Sequence, residues 1–419
     1  MKPRSLALAI SGLTALFALA TWGGGSIPSA AERRAELARR ARELTRKFLV
    51  VDTHIDVPYR LTEQGDHPDD VGVRLATGDF DAVRAAEGGL DAAFMSIYVA
   101  ASYQKTGGAK KAADDLIDLV EGIEARHPQL FAIARSPAEV EAAARAGKIA
   151  LPLGMENGAP VESDLANVGY FFDRGIRYIT LTHGEDNQIC DSSYAPKDHR
   201  TWHGLSPFGR QVVREMNRLG ILVDISHVSD DTFDQVIELS AAPPIASHSS
   251  CRFFTPGFER NLDDARIRRL AARGGVIQIN FGSGFLTAEA NAWTVAWQAA
   301  AKEFRERTGV ADGSPESEGF RDAYLKAHPL PRATVDDVAD HIDHVARIAG
   351  IDAVGLGSDF DGVGPTLPAG LEDVAKYPNL VAKLLERGYG DDDIRKVLGG
   401  NLLRVWREAE AVAERMRRE

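Results

Sequence analysis

The chain has 419 residues, of which 44% are hydrophobic, so it has the material for a large core in one barrel-sized domain or two ordinary ones. Its formal net charge is -12, from 49 basic and 61 acidic residues, which argues against a nucleic-acid partner because phosphate binding depends on clustered lysine and arginine. Only two cysteines occur, Cys190 and Cys251, which excludes a disulfide framework and leaves their redox state open.

The N-terminus has the organisation of an export signal. Two basic residues precede a mostly apolar run over residues 6–22, and a stretch of small residues then ends at Ala31. We therefore predict that residues 1–31 direct export to the periplasm or the extracellular space and that residues 32–419 form one catalytic domain. The apolar run has about the length of a short membrane span, so retention as an anchor, with membrane contact through this segment alone, stays open.

Apolar or β-branched runs then alternate with segments of helical periodicity. The eight predicted strands are residues 48–53, 92–98, 149–155, 178–182, 221–226, 244–247, 276–281 and 354–358. The main predicted helices are 111–126, 136–146, 207–219, 263–272, 334–349, 379–387 and 391–408. Continuous apolar strands that alternate with helices indicate parallel pairing, and eight such units predict an α/β fold of the (β/α)8 TIM-type barrel class. An open, doubly wound sheet is the alternative.

Two connections are longer than a simple barrel needs. Residues 185–202 follow the fourth predicted strand, and residues 286–330 follow the seventh, with a helical pattern over 293–307. Both follow strand ends on the same face of the predicted barrel. We expect them to form a lid over the site or to determine its specificity.

Potential metal ligands stand at the carboxyl ends of five predicted strands. His54 and Asp56 are two positions apart, so on an extended strand they point to the same face. The later strand ends bring Glu156, His227, His248 and Asp359. Burying five such ends separately would need five compensating partners, whereas one metal centre satisfies them together. Only a closed barrel gathers ends so far apart in the sheet, which favours the barrel and places the active site at the C-terminal ends of its strands.

The composition of this set indicates the metal. When Asp359 is left aside as a carboxylate for proton transfer, three imidazoles and two carboxylates remain, and they suit zinc, with manganese or cobalt as substitutes. Five ligands exceed the needs of one structural zinc ion, so we predict a centre with two Zn²⁺ per chain. In this interpretation His54 and Asp56 hold one ion, His227 and His248 hold the other, and Glu156 bridges them.

Eight short motifs surround these positions. They occupy residues 52–56, 154–158, 181–183, 204–209, 224–229, 247–250, 260–261 and 357–362. In this order they resemble the signature blocks of the membrane dipeptidase (renal dipeptidase) family, whose members have an amidohydrolase-type barrel. The resemblance extends from residue 48 to about residue 406, and it implies two zinc ions and hydrolysis of dipeptides by a hydroxide that bridges the metals.

The resemblance also implies a role for each matching residue. His54, Asp56, Glu156, His227 and His248 match the zinc ligands. Asp359 matches the carboxylate that transfers the catalytic proton, and His183 matches the histidine beside the scissile carbonyl. Arg260 matches the arginine that binds the substrate carboxylate, a role that suits its planar fork of donors. Five further histidines are predicted to be solvated or capping residues: His67, His127, His328, His341 and His344.

Two alternatives to a dipeptidase stay open. One is an amidohydrolase that acts on another carboxylate-bearing amide or on a lactone; the other is a metal-bound binding protein without catalytic activity. Asp359 argues against the binding protein, which needs no proton carrier, while His183 and Arg260 favour a substrate with a free carboxylate. The sequence does not determine the side-chain and stereochemical preference, the physiological metal or the oligomeric state, and a homodimer is compatible with it.

Overall fold

The computed structural model describes residues 29–65, 67–311 and 313–419, so most of the predicted export signal lies outside the described residues. The strands are β1 (Val50–Ile55), β2 (Leu90–Tyr98), β3 (Phe131–Ile133), β4 (Ile149–Leu151), β5 (Leu153–Glu156), β6 (Ile176–Thr180), β7 (Leu222–Asp224), β8 (Ile245–Ala246), β9 (Val276–Ile279) and β10 (Val354–Leu356). Within the described ranges, none of the helices is both long enough and apolar enough to cross a membrane.

The helices lie between and around these strands. They are α1 (Ala30–Lys47), α2 (Val57–Glu63), α3 (Ala82–Gly88), α4 (Tyr103–Thr106), α5 (Ala109–Arg126), α6 (Pro137–Arg145), α7 (Ala166–Asp173), α8 (Pro207–Leu219), α9 (Asp230–Leu239), α10 (Asp264–Ala272), α11 (Ser283–Leu286), α12 (Ala288–Thr308), α13 (Pro315–Ala327), α14 (Val335–Ala349), α15 (Tyr377–Glu386), α16 (Asp391–Arg395) and α17 (Asn401–Met416). Their ends follow local chemistry. In α8, for example, Ser206 caps the first turn, Pro207 occupies the first position, and Gly220 ends the helix with a φ of 88°.

The sheet is parallel and closes on itself. Its wall runs β1, β2, β5, β6, β7, β8, β9 and β10, each strand paired with the next. A parallel bridge between Ile55 and Phe360 joins the last strand to the first. Two backbone hydrogen bonds support this bridge, from Asp56 N to Phe360 O at 2.8 Å and from Asp359 N to His54 O at 3.0 Å. The fold is therefore the predicted (β/α)8 TIM-type barrel.

All eight predicted strands are present, with two differences in detail. Pro152 divides the third predicted strand into β4 and β5, since proline has no N–H to donate to a neighbouring strand. The short strand β3 was not predicted, and it pairs with β4 outside the barrel wall. The predicted helix 391–408 is also divided, because the chain changes direction at Gly399, where a Cβ would lie 2.7 Å from Val51 Cγ2.

A column of aromatic side chains fills the barrel from its base to the site. The ring of Trp406, on α17, lies 5.3 Å from that of Phe94, which lies 5.4 Å from Tyr178. All three residues are fully buried. A Cβ on Gly154 would lie 1.9 Å from the Tyr178 ring, so only glycine at this position leaves room for Tyr178 to cross the barrel. The column places the Tyr178 hydroxyl directly beneath the strand ends.

The prediction that His341 and His344 are solvated or capping residues is wrong. Both are buried on α14, and Nδ1 of His341 accepts a hydrogen bond from Cys251 N at 3.0 Å. Nε2 of His344 lies 2.7 Å from a carboxylate oxygen of Asp264. Burial lowers the pKa of His341 to about 4, so this imidazole is neutral. Both cysteines, Cys190 and Cys251, are buried and unbonded to each other.

Candidate metal centre

The structure brings the five predicted metal ligands together around the carboxylate of Glu156, at the end of β5. Oε1 of Glu156 lies 3.1 Å from His227 Nε2 and 3.3 Å from His248 Nε2. Its other oxygen lies 3.3 Å from His54 Nε2, which is 3.4 Å from Asp56 Oδ2. At most 6% of each of these residues is exposed. The strand ends therefore form one buried cluster, as their positions in the sequence predicted.

The donor set fits bound metal ions. The Nε2 atoms of His227 and His248 lie 2.8 Å apart and face the same carboxylate oxygen, while the buried Nε2 of His54 has no hydrogen-bond partner. Such an approach of imidazole nitrogens and carboxylates is unfavourable without a shared cation, and these ligand types are the ones zinc prefers. Three overlapping groups have their ligand atoms within 4.8 Å of one another: His54, Glu156 and His248; Glu156, His183 and His227; and His54, Asp56 and Asp359.

Hydrogen bonds behind the cluster orient two of the imidazoles. Nδ1 of His54 lies 2.8 Å from the Tyr178 hydroxyl, and Nδ1 of His248 lies 2.7 Å from Ser247 Oγ. Ser247 Oγ donates to Asp224 Oδ2 at 2.6 Å. Because its single proton goes to Asp224, Ser247 receives the Nδ1 proton of His248, which leaves the lone pair on Nε2. In both histidines the engaged nitrogen is Nδ1, and Nε2 is directed to the cluster.

The electrostatics of the cluster favour the protonation states that bind metals. Burial lowers the pKa of His227 and His248 well below the usual range, which keeps both imidazoles neutral. Burial opposes the ionisation of Glu156, but the charges on His54 and His183 and the hydrogen bonds from His227 and His248 hold its pKa well below the usual range. The centre therefore combines an ionised carboxylate at Glu156 with neutral imidazoles at His227 and His248. At His54 burial opposes protonation, but Tyr178 and the carboxylates of Glu156 and Asp56 raise the pKa well above its usual range.

Backbone conformation at the cluster is unusual at two of its residues. His227 and Asp359 adopt left-handed conformations, with φ of 67° and 64°. For residues other than glycine this costs on the order of 1 kcal/mol or more, and such strain concentrates at functional sites. Gly362 makes the closest approach, since a Cβ there would lie 2.1 Å from Asp56 Oδ2 and 2.2 Å from Asp359 Oδ1. Only glycine is compatible with the two carboxylates in these positions.

Asp359 and His183 flank the cluster. Oδ2 of Asp359 accepts a hydrogen bond from Asn280 Nδ2 at 2.7 Å. Burial and the charge of Asp56 raise the pKa of Asp359 to about 8, although a cation bound beside it would oppose this shift. Nε2 of His183 lies 3.4 Å from Glu156 Oε1, and its side chain is 25% exposed. Asp359 is thus suited to hold a proton, and His183 is accessible to a ligand.

Arg260 lies behind the cluster as a buried cation. Its two terminal nitrogens donate to Ser249 Oγ at 2.6 Å and to His248 O at 2.8 Å, and its Nε has no partner. Its guanidinium carbon lies 5.2 Å from the centre of the Phe285 ring. Only 3% of the residue is exposed, and among the described residues no carboxylate lies within 4.0 Å of it. Such a buried guanidinium is costly without an anionic partner.

A pocket of about 450 Å³ opens above the cluster. Asp56, Glu156, His183, His227 and Asp359 form its floor. Aromatic side chains form much of its wall: Tyr59, Tyr98, Tyr194, Phe258 and Phe285. Both long connections reach this pocket, the first through Tyr194 and the second through α12. The site is therefore a concave, largely aromatic cavity with convergent polar groups at its base, the usual form of a small-molecule site.

Comparison with known proteins then decides the family. The family model described as "Membrane dipeptidase (Peptidase family M19)" matches residues 38–419. This chain belongs to that family. An uncharacterized dipeptidase of Schizosaccharomyces pombe is 34% identical over 397 residues, which cover 90% of this chain and 85% of the relative. Family membership confirms the enzyme class that the motifs predicted, a metallo-dipeptidase.

Solved structures agree with this assignment. The probable dipeptidase PvdM from Pseudomonas aeruginosa is 28% identical, with a TM-score of 0.76 over 90% of this chain and 100% of its own. A metallo peptidase from Rhodobacter sphaeroides, solved with a phosphinate mimic of the dipeptide L-Ala-D-Ala, is 25% identical, with a TM-score of 0.71 over 86% of this chain and 99% of its own. The M19 family likeness therefore covers the whole barrel.

The M19 motifs did not reveal every residue of the site. Tyr178 and Asn280, which contact His54 and Asp359, were missed although both lie in predicted strands. The position of Asn280 near a strand end is a signal that would have found it. Tyr98, Tyr194 and the other aromatic residues of the wall come from separate connections and strands, so no periodic pattern marked them as neighbours.

Proposed function

We propose that this protein is a zinc-dependent dipeptidase that hydrolyses the peptide bond of dipeptides. The observation that carries the proposal is the convergence of three histidine nitrogens on the Glu156 carboxylate at the base of a pocket. His54 and Asp56 would hold one zinc ion and His227 and His248 the other, with Glu156 between them. When bound, the two ions would acidify a shared water and so supply hydroxide for attack on the peptide carbon.

Two residues beside the cluster have proposed roles in catalysis. Asp359 accepts a proton from the nucleophile and delivers it to the leaving amine, a role that suits a buried carboxylate whose pKa is raised above the usual range. Asn280 holds one oxygen of Asp359 and leaves the other for this transfer. His183 lies in the pocket floor, from which its imidazole donates to the oxygen of the scissile carbonyl as negative charge develops.

Arg260 is the proposed partner of the terminal carboxylate of the substrate. Its burial and its lack of an ion-pair partner among the described residues support this role. The hydrogen bond from Arg260 to His248 O also links it to a proposed metal ligand. Loss of the whole side chain would therefore affect metal binding as well as the substrate, and Arg260→Lys is the better test because it keeps the charge but not the planar fork.

Further proposals concern the localisation, domain organisation, substrate and metal of the enzyme. Residues 1–31 direct export or anchor the protein, and residues 32–419 form a single catalytic domain that is able to act as a homodimer. The phosphinate dipeptide mimic in the Rhodobacter sphaeroides neighbour supports a dipeptide substrate for this chain. Manganese or cobalt would be able to replace zinc in the same ligand set.

Substrate length tests the proposed function. A dipeptide, its C-terminal amide and the tripeptide extended at its C-terminus should differ sharply in kcat/KM. The amide has no terminal carboxylate, and the tripeptide has its carboxylate one residue further from the scissile bond, so neither places a carboxylate at Arg260. We expect kcat/KM for the dipeptide to exceed the others by about a thousandfold, the scale of a buried charge without its partner. A chelator should abolish activity and zinc should restore it, with elemental analysis giving the ions per chain.

Arg260→Lys provides the comparison for this test. The variant should have a lower kcat/KM for the dipeptide, and the ratio of kcat/KM for the dipeptide to that for the amide should fall. Equal cleavage of all three compounds by the wild type would remove Arg260 from substrate binding and favour the broader amidohydrolase alternative. Activity that persists in metal-free protein would contradict the proposed metal centre.

A further inference from the structure

Helix α12 forms one wall of the pocket. Four of its residues line the cavity that has the metal cluster at its base: Asn291, Thr294, Val295 and Gln298. Their spacing of three, four and seven positions places them along one side of the helix. This side is the part of the second long connection that a bound substrate would meet.

A different side of α12 packs against α13. The ring of Trp297 lies 5.1 Å from that of Tyr324, and the rings of Phe304 and Phe320 are stacked at 4.3 Å. Trp293 Nε1 donates to His328 O at 2.8 Å, which fixes the end of α13 to the start of α12. The aromatic contacts hold the helical hairpin together, so the pocket side of α12 is left for another function.

Two of the four wall residues use their side chains in hydrogen bonds within the protein. Asn291 Nδ2 donates to Gly284 O at 2.9 Å, and Thr294 Oγ1 donates to Ala290 O at 2.9 Å. The first bond attaches the helix to α11, which follows β9, and the second stays within α12. Val295, in contrast, is 55% exposed, and the amide of Gln298 makes no hydrogen bond to any described residue. Val295 and Gln298 are the wall residues that are available to a ligand.

The charge of the wall limits which side chains fit. Within the described part of the chain, no lysine or arginine lines the pocket. The carboxylate of Asp361, at the edge of the pocket, is already paired with Arg60 Nε at 3.0 Å. An acidic substrate side chain would therefore meet no cation on the wall, while an apolar one would contact Val295 and the aromatic rings.

We propose that Val295 and Gln298 select the side chain of the dipeptide, favouring neutral, apolar side chains over acidic ones. The inference rests on the proposed function, since it assigns a substrate class to the same site. The size of the accepted side chain depends on Val295, at the pocket mouth, and its charge depends on the uncharged amide of Gln298.

The test uses dipeptides that contain one glycine, with leucine, glutamate, lysine or glycine as the other residue, in both orders. In one of the two orders the variable side chain faces α12. For that order we expect the wild-type kcat/KM for the leucine dipeptide to exceed that for the glutamate dipeptide by tenfold or more. Val295→Trp should then lower the leucine-to-glycine ratio by tenfold or more, the scale on which pocket contacts discriminate between side chains. Ala296→Trp is the matched control, because Ala296 is exposed on α12 and does not line the pocket.

A second variant tests the charge. Gln298→Glu should raise the lysine-to-leucine ratio by about three- to tenfold, as expected for opposite charges close together near a protein surface, and Ala296→Glu should leave it at the wild-type value. Two results would overturn the inference. One is a wild-type leucine-to-glycine ratio in Val295→Trp together with a wild-type lysine-to-leucine ratio in Gln298→Glu. The other is a change in these ratios that is equally large in the Ala296 controls. Failure of the wild type to cleave any dipeptide would instead contradict the proposed function.

Discussion

Tyr178 is the residue through which the barrel interior contacts the metal centre. Its hydroxyl lies 2.8 Å from His54 Nδ1. Its ring packs against that of Phe94 on one side and against the backbone of Gly154 on another. When one ring nitrogen of a histidine binds a metal, a hydrogen bond to the other ring nitrogen fixes the orientation of the imidazole. Tyr178 is therefore a positioning residue for His54.

Replacement of Tyr178 by phenylalanine should weaken metal binding by about 10- to 100-fold, the usual effect of losing such a partner. The ring would still fill the barrel, so the fold should persist. Zinc affinity is measured by competition with a chelator, and added zinc should restore activity. Tyr389→Phe is the control, because it removes a similar hydroxyl bond, to Asp343 at 2.7 Å, away from the site. Wild-type zinc affinity in Tyr178→Phe would show that packing alone orients His54.

Asp359 permits a separate test of proton transfer. Asp359→Asn keeps the shape of the side chain but cannot accept a proton, so kcat should fall by roughly 10² to 10⁴. Zinc content, determined by elemental analysis, should stay close to that of the wild type.

Asp361→Asn is the comparison for this variant. Its carboxylate is occupied by Arg60 and by the backbone N–H of Asp79, at 3.0 and 2.7 Å, so its loss should reduce turnover far less. If Asp359→Asn retains normal turnover, another group transfers the proton, and Asp361 is the first candidate.

At the scale of secondary-structure elements, a carboxylate joins the first two strands at the base of the barrel. Oδ2 of Asp91, in β2, accepts a hydrogen bond from Val50 N at 2.9 Å. Burial raises the pKa of Asp91 to about 6, above that of an aspartate in the unfolded chain. The folded state thus prefers the protonated side chain, and this contribution to stability is present at low pH and is lost as the pH rises through 6.

Asp91→Asn should remove this pH dependence, since the amide stays neutral and can still accept the hydrogen bond from Val50. The stability of the variant relative to the wild type should increase by about 1 kcal/mol between pH 5 and pH 8. Chemical denaturation of both proteins at these two pH values measures the difference. Because both chains contain the same metal ligands, the effect of metal binding cancels. A relative stability that does not change with pH would show that Asp91 ionises freely in the folded protein.

The strands were predictable because both faces of a parallel barrel strand are buried, which gives continuous apolar runs such as that around Val51 and Ile55. Helix α8 was predictable from its cap and its terminal glycine. The misses have physical causes. Three residues are too few for β3 to leave a pattern, and His341 and His344 are buried because Cys251 and Asp264 provide partners that lie far away in the sequence.

At the scale of the whole molecule, the base of the site was predictable and its walls were not. Barrel closure converts separate strand ends into one cluster, so Glu156 and His227 could be placed together from sequence order alone. The pocket wall depends instead on how two long connections fold over the barrel. Neither the contact of Tyr194 with the cavity nor the direction of α12 has a local signal, because tertiary packing determines both.

The joining of the first and last strands also has a consequence for how the enzyme is made. Ser358 N donates to Asp52 Oδ1 at 3.0 Å across 306 residues of chain, beside the Ile55–Phe360 bridge that closes the barrel. Contacts of such high sequence separation form late in folding, because closing a long loop costs entropy before the contact forms. His54 and Asp359 therefore meet only after β10 has been synthesised. A nascent chain that lacks this strand would have all five proposed metal ligands but not Asp359, so hydrolytic activity should appear only when folding is finished.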